Sequence, residues 1–146
     1  MECKEAVKIC LTQKYCRFRG RASRSEFWWF SLFTLLLNMV VALAGAIAPG
    51  LVSIISAGLG LWLVLPTVSG ATRRLHDRNL SGWWQVLPVP LALPGLLGAA
   101  TDTTWLLVAA GLASGLASIW LLVIYALKGT PGPNRFGPDP LDGEGA

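Results

Sequence analysis

Four apolar stretches of this 146-residue chain, 27–48, 51–72, 83–100 and 103–127, contain no Asp, Glu, Lys, Arg or His. That absence argues against a proton- or ion-coupled carrier, which places ionisable side chains inside its spans. Charge is scarce throughout, 14% of residues against 53% hydrophobic, a balance too apolar for an ordinary soluble fold. The chain has one His and no His or carboxylate cluster beside it, so no metal site and no cofactor are expected. Its three cysteines, Cys3, Cys10 and Cys16, all precede the first apolar stretch and lack paired ligand spacing. In a reducing cytoplasm they would stay as thiols, and small apolar packing is their default role.

What is present gives a topology. About 20 apolar residues cross a hydrocarbon core of about 30 Å, and each of the four stretches has roughly that length. The first carries Asn38 as its one strongly polar residue, and the second is interrupted by Gly58, Gly60 and Pro66. The third contains Pro88, Pro90 and Pro94, each lacking a backbone donor, which predicts a kinked helix or a re-entrant hairpin. The twelve basic residues divide as seven in 1–26, three in 73–78 and two in the tail from Lys128. The turns around Pro49-Gly50 and Thr101-Asp102 hold one acid and no base. An even number of spans with both termini cytoplasmic satisfies the positive-inside rule everywhere. A three-span arrangement, with 83–100 dipping in and returning, would send the basic tail to the opposite side. Trp28, Trp29, Trp83 and Trp84 lie close to the basic stretches, as interfacial anchors do. The net charge of +4 therefore points to membrane lipids with anionic head groups as partners rather than to nucleic acid.

The expected fold is an all-α membrane protein: a small bundle of four transmembrane helices, the third Pro-kinked, with an N-terminal amphipathic interfacial helix and an irregular Gly/Pro-rich C-terminal tail. Residues 1–140 form a single integral domain. Its first part, 1–19, repeats Cys3, Ala6, Val7, Cys10, Leu11, Tyr15 and Phe18 at helical spacing while Lys4, Lys8 and Lys14 take other directions, an interfacial helix that Gly20 can end. Ser23 followed three residues later by Glu26 makes a capping box for the first span. A signal peptide is the competing reading, since Ala42-Leu43-Ala44 resembles a cleavage site, but a charged leader of 26 residues is long for an n-region. Residues 128–140 are stiff turn chemistry with one Arg and one aromatic ring and form an ordered tail; 141–146 read as disordered.

Two clusters could carry chemistry. Arg73, Arg74, His76 and Asp77 sit on neighbouring helical positions if the second span continues past Thr72. The bland reading is a topology signal with a local ion pair; the functional one is an anion site for a phosphate or head group. His76 beside Asp77 invites a general-base role, but that needs a nucleophile or metal that the sequence does not name. Arg17, Arg19, Arg21 and Arg24 form the second cluster next to Glu26. A carboxylate at the start of a span is poorly placed alone, so Glu26 is expected to pair with Arg73 or Arg74 across two helices. Gly111 and Gly115 form a small-xxx-small face, predicting close helix packing within the monomer or across a homo-oligomer.

Residues 18–28, 73–77, 81–84 and 129–140, among them Arg21, Arg24, Glu26, Trp28, Arg73, Arg74, His76, Asp77, Trp83, Trp84, Asn134 and Arg135, resemble the signature blocks of the domain of unknown function 805 family. The resemblance covers roughly residues 10 to 140 and implies an integral helical protein of the bacterial inner (plasma) membrane. It implies no activity. The stretch between Trp84 and Gly129 is longer than in typical members and leaves room for two spans.

Every block lies at one membrane boundary in this topology. Arg21, Arg24, Glu26, Arg73, Arg74, His76, Asp77, Asn134 and Arg135 would converge on one face, with the tail folded back so that Asn134, Arg135 or Asp139 meets the 73–77 cluster. The functional expectation is a non-enzymatic inner-membrane protein whose cytoplasmic polar cap binds an anionic lipid head group or a partner protein. The alternatives are a small oligomeric channel or carrier for an uncharged or amphiphilic solute, and an enzyme acting on lipid through His76 and Asp77.

Overall fold

The computed structural model describes residues 2–142. Its elements are α1 (Cys3–Lys8), continued by a π-helical turn (Ile9–Gln13), then α2 (Arg24–Gly45), α3 (Pro49–Asp77), a 3-10 segment (Gly82–Val86), α4 (Pro88–Ala100) and α5 (Thr104–Ala126). Among the described residues no β-strand occurs; one isolated bridge pairs Asn134 with Gly137. Four segments, Arg24–Gly45, Val52–Asp77, Gly82–Ala100 and Thr104–Ala126, are long and apolar enough to cross a membrane. Their outward faces carry Leu35, Val40, Leu43, Leu112 and Leu116, all exposed, as suits a surface solvated by lipid.

Two antiparallel hairpins result, α2 on α3 and α4 on α5. The third span resolves the proline question. Five residues of 3-10 helix at about 2.0 Å each and thirteen of α-helix at about 1.5 Å each reach about 30 Å, so the segment crosses once and α5 returns. Pro94 stays inside α4 and Pro88 opens it, where its missing N–H removes no helical bond. The turn is closed by Asp102 at φ 52°, with Thr103 N–H donating to Gly98 O at 2.8 Å, a Schellman cap on an Asp in place of glycine. α3 ends the same way. Asn79 takes φ 59° and the N–H groups of Asn79 and Leu80 donate to His76 O and Leu75 O at 2.9 and 3.0 Å.

The hairpins meet mainly at one end, where Leu75, Leu121 and Tyr125 pack with Phe27 and Leu80. A second cluster, Cys10, Phe30 and Leu63, fastens the N-terminal segment to α2 and α3. α3 is 29 residues long, about 44 Å at 1.5 Å per residue, and so outruns a core of about 30 Å. Its last turns, Arg73 to Asp77, stand among the polar segments at that end.

Four expectations change in whole or in part. The interfacial helix stops at Gln13 rather than residue 19, because Lys14 and Tyr15 bond to other elements instead of continuing it. Ser69 Oγ lies 3.2 and 3.3 Å from the carbonyls of Lys14 and Tyr15, its one hydrogen shared between these and Pro66 O at 3.1 Å, and Gly20, at φ 90°, lies in the loop beyond. The capping box forms by half: Ser23 Oγ accepts from Glu26 N–H at 3.2 Å, while the Glu26 carboxylate turns away to a neighbouring helix. Gly111 and Gly115 face outward, with open space around both, so of the two settings expected for them packing within the monomer falls away and contact across a homo-oligomer is the one left. Close packing of α4 on α5 falls instead at Gly98, where an added Cβ would lie 2.9 Å from Leu106 Cβ and Leu107 N. Of the tail expected to be disordered, Leu141 and Asp142 form a turn on Asp139, and 143–146 lie outside the described residues.

Candidate functional site

The end of α3 is a hub of buried charge. Arg73, Arg74 and Asp77 are 1%, 0% and 3% exposed, and Glu26 of α2 is 2% exposed. Arg73 Nη1 is paired with Glu26 Oε1, the partnership expected from the isolated position of that carboxylate. Lys14 Nζ reaches the other oxygen of Glu26 at 2.9 Å. Cys10 Sγ lies 3.9 Å from Glu26 Oε1, and burial, reinforced by that carboxylate, pushes the Cys10 thiol pKa up. Arg21 Nε donates to Asp77 Oδ1 at 2.9 Å, while Arg74 Nη1 is paired with Asp77 Oδ2.

Three buried guanidinium groups thus face two buried carboxylates, and backbone carbonyls take up the remaining donors of Arg21 and Arg74. Arg74 Nε donates to Tyr125 O at 2.9 Å, and its Nη2 to Leu127 O, placing a cation on the negative end of α5. Arg21 donates to Gly132 O and Thr130 O at 2.6 and 2.5 Å. The tail repays α3: Thr130 N–H and Oγ–H both donate to Asp77 O at 2.8 and 3.0 Å, and Asn134 Nδ2–H donates to His76 O at 2.9 Å. Gly129 is required at its position, since a Cβ there would overlap the Asp77 carboxylate.

Residues 14–26, the end of α3 and the tail are therefore gathered at one end of the molecule. Of the residues singled out in the sequence, Arg73 and Glu26 form one ion-paired cluster and Arg21, Arg74 and Asp77 a second, the two joined through the backbone of Ala22, whose N–H donates to Arg73 O and whose carbonyl accepts from Arg74 Nη1. Asn134 caps α3, and Arg135 Nη2–H donates to Asn79 O at 3.0 Å. Asp139 lies 3.9 Å from Arg21. Arg24 is exposed beside the start of the tail and joins no bond in the network. Trp28, Trp29, Trp83 and Trp84 are exposed around the same end.

His76 and Asp77 do not form an acid–base pair: Asp77 is held by two arginines, and His76 Nδ1–H donates to Gly20 O at 3.1 Å. The imidazole stacks on Phe136, centroids 3.9 Å apart and planes 4° off parallel, with the Arg135 guanidinium 4.7 Å above the same ring. Sequence reasoning missed this stack, the roles of Lys14 and Cys10, and Tyr15 Oη–H donating to Trp62 O at 2.6 Å. The last had a signal. Pro66 lacks the N–H that would reach the carbonyl four residues earlier, so Trp62 O needed a donor from outside its helix.

Besides a space of about 210 Å³ under the tail, lined by Arg24, Arg74, Asp77 and Lys128, two cavities of different chemistry lie at this end. One of about 310 Å³ is predominantly basic, lined by Lys14, Arg17, Arg19, Arg21 and Arg73 together with the carboxylates Glu26 and Asp139. Arg17 and Arg19 are exposed, and Arg73 Nε is buried without a hydrogen-bond partner among the described residues. The other, about 420 Å³, lies between α3 and the 3-10 segment and has no Asp, Glu, Lys or Arg in its lining.

Four spans and a charge network confined to one end define a multi-pass helical membrane protein with a polar cap. The chain belongs to the family described as protein of unknown function (DUF805), matched over residues 15–138, a range that holds nearly all of the cap. It is 34% identical over 132 residues to the inner membrane protein YhaH of Escherichia coli, covering 88% of this chain and 90% of that protein. Identity to the E. coli inner membrane protein YhaI is 30% over 135 residues, 92% and 95% of the two chains. The E. coli uncharacterized protein YiiR is 32% identical over 130 residues, 86% of each. No solved structure matches.

Proposed function

We propose that this inner-membrane protein is not an enzyme and that its polar cap, facing the cytoplasm, binds the head group of an anionic lipid. The orientation rests on the positive-inside rule: the basic residues of 14–24, 73–78 and 128–135 lie at the capped end, and the turns at Ala46–Ala48 and Thr101–Thr103 hold none. The observation that carries the ligand is the basic cavity. Arg21 and Arg73 in its wall are spent on carboxylates and carbonyls, but Arg17 and Arg19 have no side-chain partner among the described residues. They are free to meet a phosphate, with Arg73 Nε–H as a further donor. Leaving catalysis out is supported by His76 and Asp77 being committed to separate partners.

Native mass spectrometry of protein extracted with its lipids tests the proposal. Phosphatidylglycerol or cardiolipin should co-purify and be lost from a variant carrying Arg17→Gln and Arg19→Gln, which leaves the buried pairs intact. Equal retention of phosphatidylethanolamine, or no loss in that variant, would refute it. Arg73 and Arg74 are unsuitable for this test because their removal breaks the fold's own ion pairs.

A further inference from the structure

The uncharged cavity makes a second site of different chemistry. Its apolar wall is Phe18, Val68, Trp83 and Val86, and its polar groups are His76, Ser81, Gln85 and Thr72. Gln85 Nε2–H donates to Thr72 Oγ1 at 2.8 Å, which fixes the amide and leaves Oε1 with no protein donor among the described residues. His76 Nδ1–H is spent on Gly20 O, so the neutral imidazole keeps Nε2 as an acceptor. Gly82 lets the 3-10 segment close on α3: an added Cβ would lie 2.5 Å from Thr72 Cγ2. The wall is thus built by close backbone approach and a fixed amide.

We infer that this cavity binds an uncharged, hydroxyl-bearing amphiphile, with its hydroxyl head on Gln85 Oε1 and His76 Nε2 and its apolar part along Trp83 and Val86. Two acceptors call for a ligand that brings donors, and a lining without Asp, Glu, Lys or Arg gives an ionic head group no counter-charge, in contrast to the basic cavity. About 420 Å³ lies in the range of small-molecule pockets, which are mostly apolar with a few placed polar groups. Trp83, 82% exposed, stands at the mouth as an interfacial ring would, so a lipid-borne ligand can enter sideways from the membrane. A glyceride and a quinol share this chemistry.

Photolabelling in phosphatidylcholine nanodiscs tests it, using a diacylglycerol with a diazirine near its head. Label should appear on the peptide covering 81–86. Excess dioleoylglycerol or decylubiquinol should compete it away, whichever is effective naming the source, and dioleoylphosphatidylglycerol should not. Gln85→Leu should weaken the competition about tenfold, the loss expected when one buried hydrogen bond is removed, and Val86→Trp should abolish labelling by filling the space. Both variants must elute as the parent does; if Gln85→Leu does not, Val86→Trp and the competitors decide. Labelling spread over all four spans, or equal competition by phosphatidylglycerol, would overturn the inference. Arg17 and Arg19 lie outside this lining, so their double variant should label normally, keeping failure here separate from failure of the anionic-lipid proposal.

Discussion

Glu26 shows why single residues decide this fold. Its carboxylate, 2% exposed, meets Arg73, Lys14 and Cys10, so it joins α2, α3 and the N-terminal segment at one point. A buried ion pair contributes little net stability against an apolar replacement, but removing one member strands the other charge, at about 3–5 kcal/mol. Glu26→Gln should therefore cost roughly 3 kcal/mol, read as a fall in the thermal midpoint in detergent; an unchanged midpoint would contradict the pairing. Exchanging the charges, Glu26→Arg with Arg73→Glu, should recover only part of the loss. Lys14 would then lie against a second cation. The pairing was legible because a carboxylate at the start of a span has few alternatives, whereas nothing in the spacing of Lys14 or Cys10 marks them for the same oxygen atoms.

Among the elements, α3 carries the largest departure from expectation. Pro66 is fully buried in its middle, and the carbonyl it leaves unpaired on Trp62 is satisfied by Tyr15. This bond and the shared one from Ser69 hold residues 14–15 against α3, which is why the amphipathic pattern extends past the helix that it predicts. Periodicity records which side of a segment is apolar; it does not record that a missing donor elsewhere has captured the chain. Tyr15→Phe should cost about 1 kcal/mol, since Trp62 O loses its one donor among the described residues. In a Pro66→Ala background, where an N–H at residue 66 can serve Trp62 O, the same change should cost much less. Equal costs in both backgrounds, measured by a double-mutant cycle on thermal midpoints, would mean that Tyr15 acts through packing alone. The spans were readable to within a few residues because hydrocarbon sets their length. Which of their two expected settings Gly111 and Gly115 take was not, because small residues mark a surface that permits close approach without naming the neighbour.

For the whole molecule, the tail is a structural member that joins the two hairpins. With α4 and α5 packed mainly on each other, the hairpins depend on the hub, where Arg74 reaches the end of α5 and the tail reaches the end of α3. Turn chemistry marked 128–140 as an ordered tail folded back on the end of α3, but Gly and Pro cannot build a core and composition does not say what holds it there. Its role lies in backbone groups, carbonyls for Arg21 and an N–H for Asp77 O, which no side-chain pattern displays. Gly129→Ala is the smallest perturbation of that arrangement. The new methyl group would overlap the Asp77 carboxylate, and relief requires either Asp77 to leave Arg21 and Arg74 or the tail to lift from α3. Overpacking of this kind costs about 1–3 kcal/mol. The loss should appear as faster hydrogen exchange at Thr130 and at the last turn of α3, with α4 and the far half of α5 unaffected, since their mutual contacts lie away from the hub. Uniform loss of protection along all four spans would instead show the hairpins to be held together independently of the tail.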